Sequence, residues 1–233
     1  MSGIYRKRRL VFVIVSLVGV IFASIVTLSS QPFSLTPMPV NNRAQVGSVA
    51  HDTLNQLVVK GRSQKTGYAR TEFVDGWQII NGCDTRETIL HRDLAGAVVD
   101  KSCFVTKCTL NDPYKGKVIE FVRGASTSSL VQIDHIVALS DAWQKGAQQL
   151  SLEKRTQLAN DPLELLAVDG SANQQKSDGD AASWLSPNKS FRCQYVARQI
   201  AVKQKYDLWV TSAEKTAMQS VLDSCPNQAL PKA

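Results

Sequence analysis

The spacing of apolar residues along the chain predicts a mixture of short helices and short strands. Apolar positions three to four residues apart predict an amphipathic helix within residues 45–60. A short helix is expected from Thr85, and strands are expected at residues 103–109 and 117–122, around an Asp-Pro turn at Asp112. No internal repeat is present, so these elements are expected to build one α+β domain.

The second half of the chain continues this mixture. The apolar run at residues 131–139 predicts a strand that carries the adjacent pair Asp134 and His135. Thr211 followed by Glu214 is a capping box that predicts the start of the last helix. The other expected elements are helices at residues 140–149 and 151–160, a strand at 163–168, a helix that carries Lys176, and a helix at 193–209.

The first thirty residues combine a basic cluster with a long apolar run. Four basic residues at positions 6–9 precede the apolar residues 10–28. A basic flank before about twenty apolar residues is typical of an export signal or of a membrane anchor whose basic end stays in the cytoplasm. We expect a signal peptide or an anchor at residues 1–30, the length of the run favouring the anchor, and a Pro- and Ser-rich linker at 31–44. The remaining chain is then expected outside the cytoplasm, with the N-terminal segment as its membrane contact.

The composition indicates the cellular compartment of the protein more clearly than it indicates a binding partner. The formal net charge is +7, from 27 basic and 20 acidic residues, but four basic residues lie at positions 6–9. The exported part therefore has 23 basic residues against 20 acidic ones, which is weak evidence for a nucleic-acid partner. A local basic cluster within residues 192–215 suits phosphate contacts and a solvated helical face equally well. Five cysteines in an exported chain predict two disulfides and one free thiol.

The candidate chemistry lies in Asp134, His135 and Asn173. A carboxylate and an amide oxygen can hold a hard cation, and an imidazole can accept a proton from water near neutral pH. Asn173 is followed three residues later by Lys176, in the segment NQQKSD. An isolated Asp-His pair more often only ends a strand, so its weight depends on the sequence around it.

That surrounding sequence resembles a known family. A strand with Asp-His, a second strand, a turn and a helix with N-x-x-K resemble the ββα-metal finger of HNH nucleases. The segments that carry the closer resemblance are GCDTRETILHRDL, LNDPYKGKVIEFVRG, VQIDHIVALSDAW, ANDPLELLAVDGSANQQKSD and a tail with CQYV. Over residues 68–225 the chain looks like the HNH endonucleases that form the C-terminal domain of GmrSD-type restriction enzymes and that also occur as secreted proteins. The resemblance implies an HNH domain with additional helices at residues 45–226, followed by a tail at 227–233.

The resemblance also implies a reaction, the metal-dependent hydrolysis of phosphodiester bonds. His135 would act as the general base, while Asp134 and Asn173 would be catalytic as ligands of a divalent cation, Mg²⁺ or alternatively Mn²⁺. DNA is the expected substrate, with little sequence preference and with RNA as the alternative. The sequence identifies no protein partner.

Two basic residues are candidates for phosphate contacts. Lys176 lies on the helix that follows Asn173, although a solvated lysine there is equally reasonable. Arg86 lies in the shared CDTR segment, where an ion pair with Asp84 or Asp93 is the competing interpretation.

One position departs from the family pattern. An asparagine is usual at the start of the second strand, and this chain has Glu164 there. A carboxylate accepts hydrogen bonds but cannot donate as an amide does. Glu164 could tether the loop that bears His135 or could join the metal ligands, and Asn160 is a further candidate for a supporting role. The departure favours a binding protein that does not cut, whereas the intact site residues favour an enzyme. A wall hydrolase is disfavoured because no suitable carboxylate pair occurs.

The cysteines can be paired against the same family pattern. Cys83 and Cys103 flank one segment of the shared core, and Cys193 and Cys225 bracket the two C-terminal helices. These are the predicted disulfides, and Cys108 is the predicted free thiol.

Overall fold

The computed structural model describes residues 50–73, 75–125 and 127–231, and these ranges contain seven α-helices and seven short strands. The fold is therefore α+β, as predicted. The predicted signal or anchor at residues 1–30 and the linker at 31–44 lie outside the described residues. Within those residues, every helix is too short or too polar to cross a bilayer.

Helices and strands follow one another in mixed order. The helices are α1 (Ala50–Gln56), α2 (Thr85–Asp93), α3 (Leu139–Gln144), α4 (Leu152–Asn160), α5 (Gly170–Lys176), α6 (Arg192–Lys205) and α7 (Ser212–Leu222). The strands are β1 (Ile79–Ile80), β2 (Cys83–Asp84), β3 (Ala95–Val99), β4 (Val105–Asp112), β5 (Lys117–Val122), β6 (Val131–His135) and β7 (Leu165–Asp169). They form three small antiparallel sheets, β1-β2, β3-β4-β5 and β6-β7.

Two helix starts follow the capping signals in the sequence. The Ser151 hydroxyl accepts a hydrogen bond from the Lys154 N–H at 3.2 Å and opens α4. The Thr211 hydroxyl accepts one from the Glu214 N–H at 3.1 Å, and the capping box that opens α7 is complete. Each cap satisfies an amide at a helix start that has no partner inside the helix.

Several elements differ from the prediction, among them the helix expected at residues 140–149 and the strands β1, β2 and β3. The expected helix at residues 140–149 is split into α3 and a 3₁₀ turn at Ala147–Gln149. Gly146 separates them with a φ of +123°, and a Cβ there would lie 3.2 Å from the Trp209 ring. Strand β3 was not predicted, because its exposed residues show no regular alternation.

The β6-β7 hairpin lies between two hydrophobic clusters. Leu165 and Ala167 of β7 belong to the cluster under α2 and the three-stranded sheet. Leu166 and Val168 belong to the larger cluster that includes α1, α3, α6 and α7. Side chains alternate between the faces of a strand, so a strand buried on both faces has a continuous apolar sequence. This explains the uninterrupted run LLAV and fixes the hairpin rigidly.

A buried charge network joins α3 to the C-terminal helices. Lys145 is fully buried, and its Nζ lies 2.8 Å from Asp141 Oδ1, 2.8 Å from Asp180 Oδ2 and 2.6 Å from Glu214 Oε2. The network has three cations and three carboxylates, namely Arg62, Lys145 and Lys203 with Asp141, Asp180 and Glu214. Charges of opposite sign therefore balance inside the fold.

The network predicts acid sensitivity. Burial by itself would raise the pKa of Asp180, but the hydrogen bond and charge of Lys145 and the charge of Arg62 outweigh it and lower that pKa to about 2. A lowered carboxyl pKa stabilises the fold above the unfolded value and loses that contribution as pH falls through the folded value. Asp180→Asn should lower the free energy of unfolding by about 2 kcal/mol at pH 7. The difference should shrink between pH 4 and pH 2 in urea titrations. The exposed Asp223→Asn is the control, and an Asp180→Asn effect that does not vary with pH would contradict this account.

The cysteines are paired as predicted. Disulfides join Cys83 to Cys103 and Cys193 to Cys225. Cys108 is free and buried, and burial raises the pKa of its thiol to about 11. A thiol in that state is a poor nucleophile.

Candidate active site

The candidate site lies at the end of the β6-β7 hairpin. Asp134 and His135 are the last two residues of β6, so their side chains leave opposite faces of the strand. Both nevertheless line one cleft of about 390 Å³, together with Asn173 from α5. The structure thus brings together the three residues that the sequence singles out.

Helix α5 packs closely against β6 because its first residue is a glycine. A Cβ on Gly170 would lie 2.2 Å from the Ser129 carbonyl oxygen, so a larger residue would displace the helix. Residues three apart share a helix face, and Asn173 and Lys176 therefore both meet β6. Asn173 Nδ2 donates to Gln132 Oε1 at 2.9 Å, and Lys176 Nζ donates to Asp134 Oδ1 at 2.9 Å.

Asp134 is buried and held by donors on both oxygens. Lys176 binds Oδ1, and the Tyr114 hydroxyl donates to Oδ2. Burial raises the pKa of Asp134, while the charge of Lys176 and the hydrogen bond from Tyr114 oppose that shift. The pKa of Tyr114 is raised well above its ordinary value by burial and by Asp134, so this hydroxyl stays a donor. The two contacts stabilise the ionised carboxylate.

His135 is held as a neutral imidazole. Its Nε2 lies 3.0 Å from the Ala159 carbonyl oxygen, which assigns the proton to Nε2 and leaves Nδ1 as the acceptor. The Trp77 ring stacks on the imidazole, with centroids 5.8 Å apart and planes 4° apart. Burial, followed by the charge of Arg70, lowers the pKa of His135 to about 3. The imidazole is therefore unprotonated at neutral pH.

Glu164 has the geometry of a loop tether. Its Oε2 accepts a hydrogen bond from the Val137 N–H at 3.1 Å, and its carbonyl accepts one from the Ile136 N–H at 2.9 Å. Both amides belong to the loop that directly follows His135. Glu164 is fully buried, and its Oε1 has no hydrogen-bond partner within the described part of the chain. Burial raises the pKa of this carboxyl well above its ordinary value, which favours the neutral acid.

If Glu164 acts as a loop tether, its replacement by glutamine should be tolerated. Glu164→Gln replaces a carboxyl whose pKa is raised by burial with a neutral amide of similar size, so we expect an unchanged cleavage rate and metal requirement. Glu164→Ala leaves the Val137 amide buried without a partner, which costs about 1–3 kcal/mol. Metal titrations of the cleavage rate for both variants check this. A large rise in the metal concentration that Glu164→Gln needs would instead make Glu164 a metal ligand.

The structure assigns different contacts to the predicted phosphate-binding residues. Lys176 is buried and also donates to the His135 carbonyl at 2.7 Å, so it does not reach the surface as a free cation. Arg86 donates to the Val131 carbonyl at 3.4 Å and forms no ion pair within the described residues. Both cations support β6, because the strand carries carbonyls and a carboxylate that need donors.

Asn160 supports the site from the end of α4. Its Oδ1 accepts a hydrogen bond from the Gln78 N–H at 3.1 Å. Gln78 directly follows Trp77, whose ring stacks on His135. Ala159, the residue before Asn160, has the carbonyl that accepts the hydrogen bond from His135 Nε2. The segment around Asn160 therefore positions the imidazole from two sides.

Asp134 and Asn173 fit a hard divalent cation. A carboxylate has about four lone-pair sites, so Asp134 keeps acceptor capacity beside its two donors. Asn173 uses its amide nitrogen for Gln132, so its Oδ1 can bind a cation. Over the described residues there is no group of three or more His, Cys, Asp or Glu side chains that could hold a metal ion. The two oxygen ligands suit Mg²⁺, which keeps several waters in its shell.

Three residues of this site were missed from the sequence, namely Tyr114, which contacts Asp134, Trp77, which stacks on His135, and Arg70, which lines the cleft. Tyr114 lies in the shared segment LNDPYKGK, and that was the one signal that could have drawn attention to it. The other two lie more than fifty residues before His135 in the chain, and only the packed fold brings them to it.

The fold and the cleft define a class of α+β protein whose hairpin and following helix carry a carboxylate, an imidazole and an amide. A family model described as GmrSD restriction endonucleases, C-terminal domain, matches residues 84–221. The chain belongs to this family, which confirms the resemblance found in the sequence. It is also 38% identical over 209 residues to an "Uncharacterized secreted protein" of Arthroderma benhamiae, covering 88% of this chain and 99% of that protein.

Proposed function

We propose that the protein is a metal-dependent HNH endonuclease that hydrolyses phosphodiester bonds of DNA with little sequence preference. Strands β6 and β7 with helix α5 would form its ββα-metal core. The observation that supports this most is the shared cleft of Asp134, His135 and Asn173 in a member of a restriction-endonuclease family.

His135 would activate the attacking water. Nε2 is committed to the Ala159 carbonyl, so Nδ1 accepts the proton as the water attacks phosphorus. The Trp77 ring and this hydrogen bond fix the plane of the imidazole. Orientation of this kind keeps the base in one reactive geometry.

Asp134 and Asn173 would hold the cation, Mg²⁺ or Mn²⁺. A divalent cation there would neutralise negative charge on the phosphate and on the leaving group. Lys176 and Tyr114 favour the ionised form of Asp134 and fix its position, and Gln132 orients the Asn173 amide.

We place this activity outside the cytoplasm. Two disulfides are typical of chains that fold in oxidising compartments. The similar protein of Arthroderma benhamiae is described as secreted, and the N-terminal run of this chain has the pattern of an export signal or anchor. Residues 45–226 would be the nuclease domain.

One observation favours a second function, nucleic-acid binding without cleavage. Lys176 already neutralises Asp134 at 2.9 Å, so a cation must share this carboxylate with an ammonium group. A site that failed to bind metal for this reason would hold DNA and leave it intact.

Supercoiled plasmid separates the two functions because it has no free ends. The full chain with Mg²⁺ or Mn²⁺ should convert it to nicked circles and then to linear DNA. Supercoiled DNA that is retarded on a gel but remains intact would support binding alone. DNA that is neither bound nor cut, tested beside an RNA substrate, would contradict the choice of DNA.

A further inference from the structure

The proposed nuclease needs a basic side chain that can bind the substrate phosphate. Most basic side chains near the site instead bind groups of the protein itself. Lys176 is buried on Asp134, and Arg86 donates to the Val131 carbonyl. Arg198 donates to the carbonyls of Pro162, Leu163 and Leu165. These three side chains hold the hairpin and its loop, so none presents a free charge to a substrate.

Two cations line the cleft itself, and they differ in their partners. Lys65 forms an ion pair with Asp178, with Nζ and Oδ2 3.1 Å apart. Arg70 is exposed and has no carboxylate partner within residues 50–73, 75–125 and 127–231. The guanidinium of Arg70 is therefore the cleft cation with unused donors.

Arg70 contacts the aromatic ring that stacks on the candidate base. Its guanidinium carbon is 6.0 Å from the centroid of the Trp77 ring, and that ring stacks on His135. Arg70 and His135 line the same cleft. A phosphate bound in this cleft next to His135 would share the cleft with the Arg70 guanidinium.

We propose that Arg70 binds the phosphodiester that is cut beside His135. The inference rests on the proposed nuclease function and adds a substrate-binding residue to it. A guanidinium can donate two parallel hydrogen bonds to phosphate oxygens and remains charged at all working pH values. Arg70 is exposed at the start of the short 3₁₀ turn Arg70–Glu72, and its side chain lines the cleft.

The test compares Arg70→Ala and Arg70→Lys with wild type in steady-state plasmid cleavage by the full chain. Arg70→Ala removes the guanidinium that would stabilise charge on the phosphate, and it should lower kcat/KM about 10²- to 10³-fold. Arg70→Lys should recover only part of the loss, because an ammonium group lacks the paired geometry. Lys101→Ala removes an exposed cation outside the cleft and should match wild type.

Salt dependence separates a phosphate contact from a merely structural role. Removing one phosphate contact should make the slope of log(1/KM) against log salt less steep by about 0.9. An Arg70 that only influenced His135 would leave that slope unchanged and would overturn the proposal. Cleavage by Arg70→Ala at the wild-type rate would overturn it too. If the wild-type protein leaves DNA intact, the proposed nuclease function is wrong. That outcome differs from an unchanged salt slope and from a wild-type rate in Arg70→Ala, which would contradict only the role of Arg70.

Discussion

Replacing His135 by alanine is expected to lower the rate of DNA cleavage about 10²- to 10⁴-fold, the usual contribution of a general base. The reason is positional as well as chemical. Nε2 is held by the Ala159 carbonyl and the ring by Trp77, so Nδ1 is the acceptor that can take a proton in the cleft. Initial rates of plasmid nicking at saturating Mg²⁺ give the comparison.

Controls must separate lost chemistry from lost folding, because His135 is buried. His135→Gln keeps an amide that can donate to the Ala159 carbonyl but cannot act as a base, so it should fold and remain slow. His91 is exposed on α2, and His91→Ala should cut like wild type. Rapid cleavage by a folded His135→Gln variant would remove His135 from the mechanism.

Replacing Lys145 by alanine should have the largest effect on stability. The ammonium is fully buried and lies within 2.8 Å of three carboxylates, from Asp141, Asp180 and Glu214. Removing one partner from a buried ion network leaves uncompensated charge, which costs about 3–5 kcal/mol. Urea or guanidinium titration of the free energy of unfolding measures the loss.

An exposed lysine provides the matched control. Lys154 lies on the solvent side of α4, and Lys154→Ala should change stability by less than about 0.5 kcal/mol. If Lys145→Ala also loses less than about 1 kcal/mol, the network does not stabilise the fold in the way that a buried ion network should.

The candidate site was predictable where its residues are neighbours in the chain. Asp134 and His135 are adjacent, and Asn173 and Lys176 have the i, i+3 spacing of one helix face. The pattern therefore placed these residues on the right elements. It could not show that Lys176 lies against Asp134, because that contact depends on how α5 crosses β6.

Contacts between distant segments were not predictable. Arg70 and Trp77 precede the hairpin by more than fifty residues, and no local pattern indicates that Trp77 stacks on His135 or that Arg70 lines the cleft. Strand β3 was missed for a related reason, since its pairing with β4 and not its own exposed residues makes it a strand. Glu164 could be identified as a departure, but its role as a tether became visible only through its contact with the Val137 amide.

The most direct test of the central proposal is the metal dependence of plasmid nicking by the full chain. Asp134 and Asn173 line the cleft as the proposed ligands of a cation, and the proposed chemistry requires that cation. Nicking should proceed with Mg²⁺ or Mn²⁺, stop when EDTA is added, and resume when Mg²⁺ is restored in excess. Undiminished nicking in EDTA, or intact plasmid at every metal concentration, would contradict the proposal.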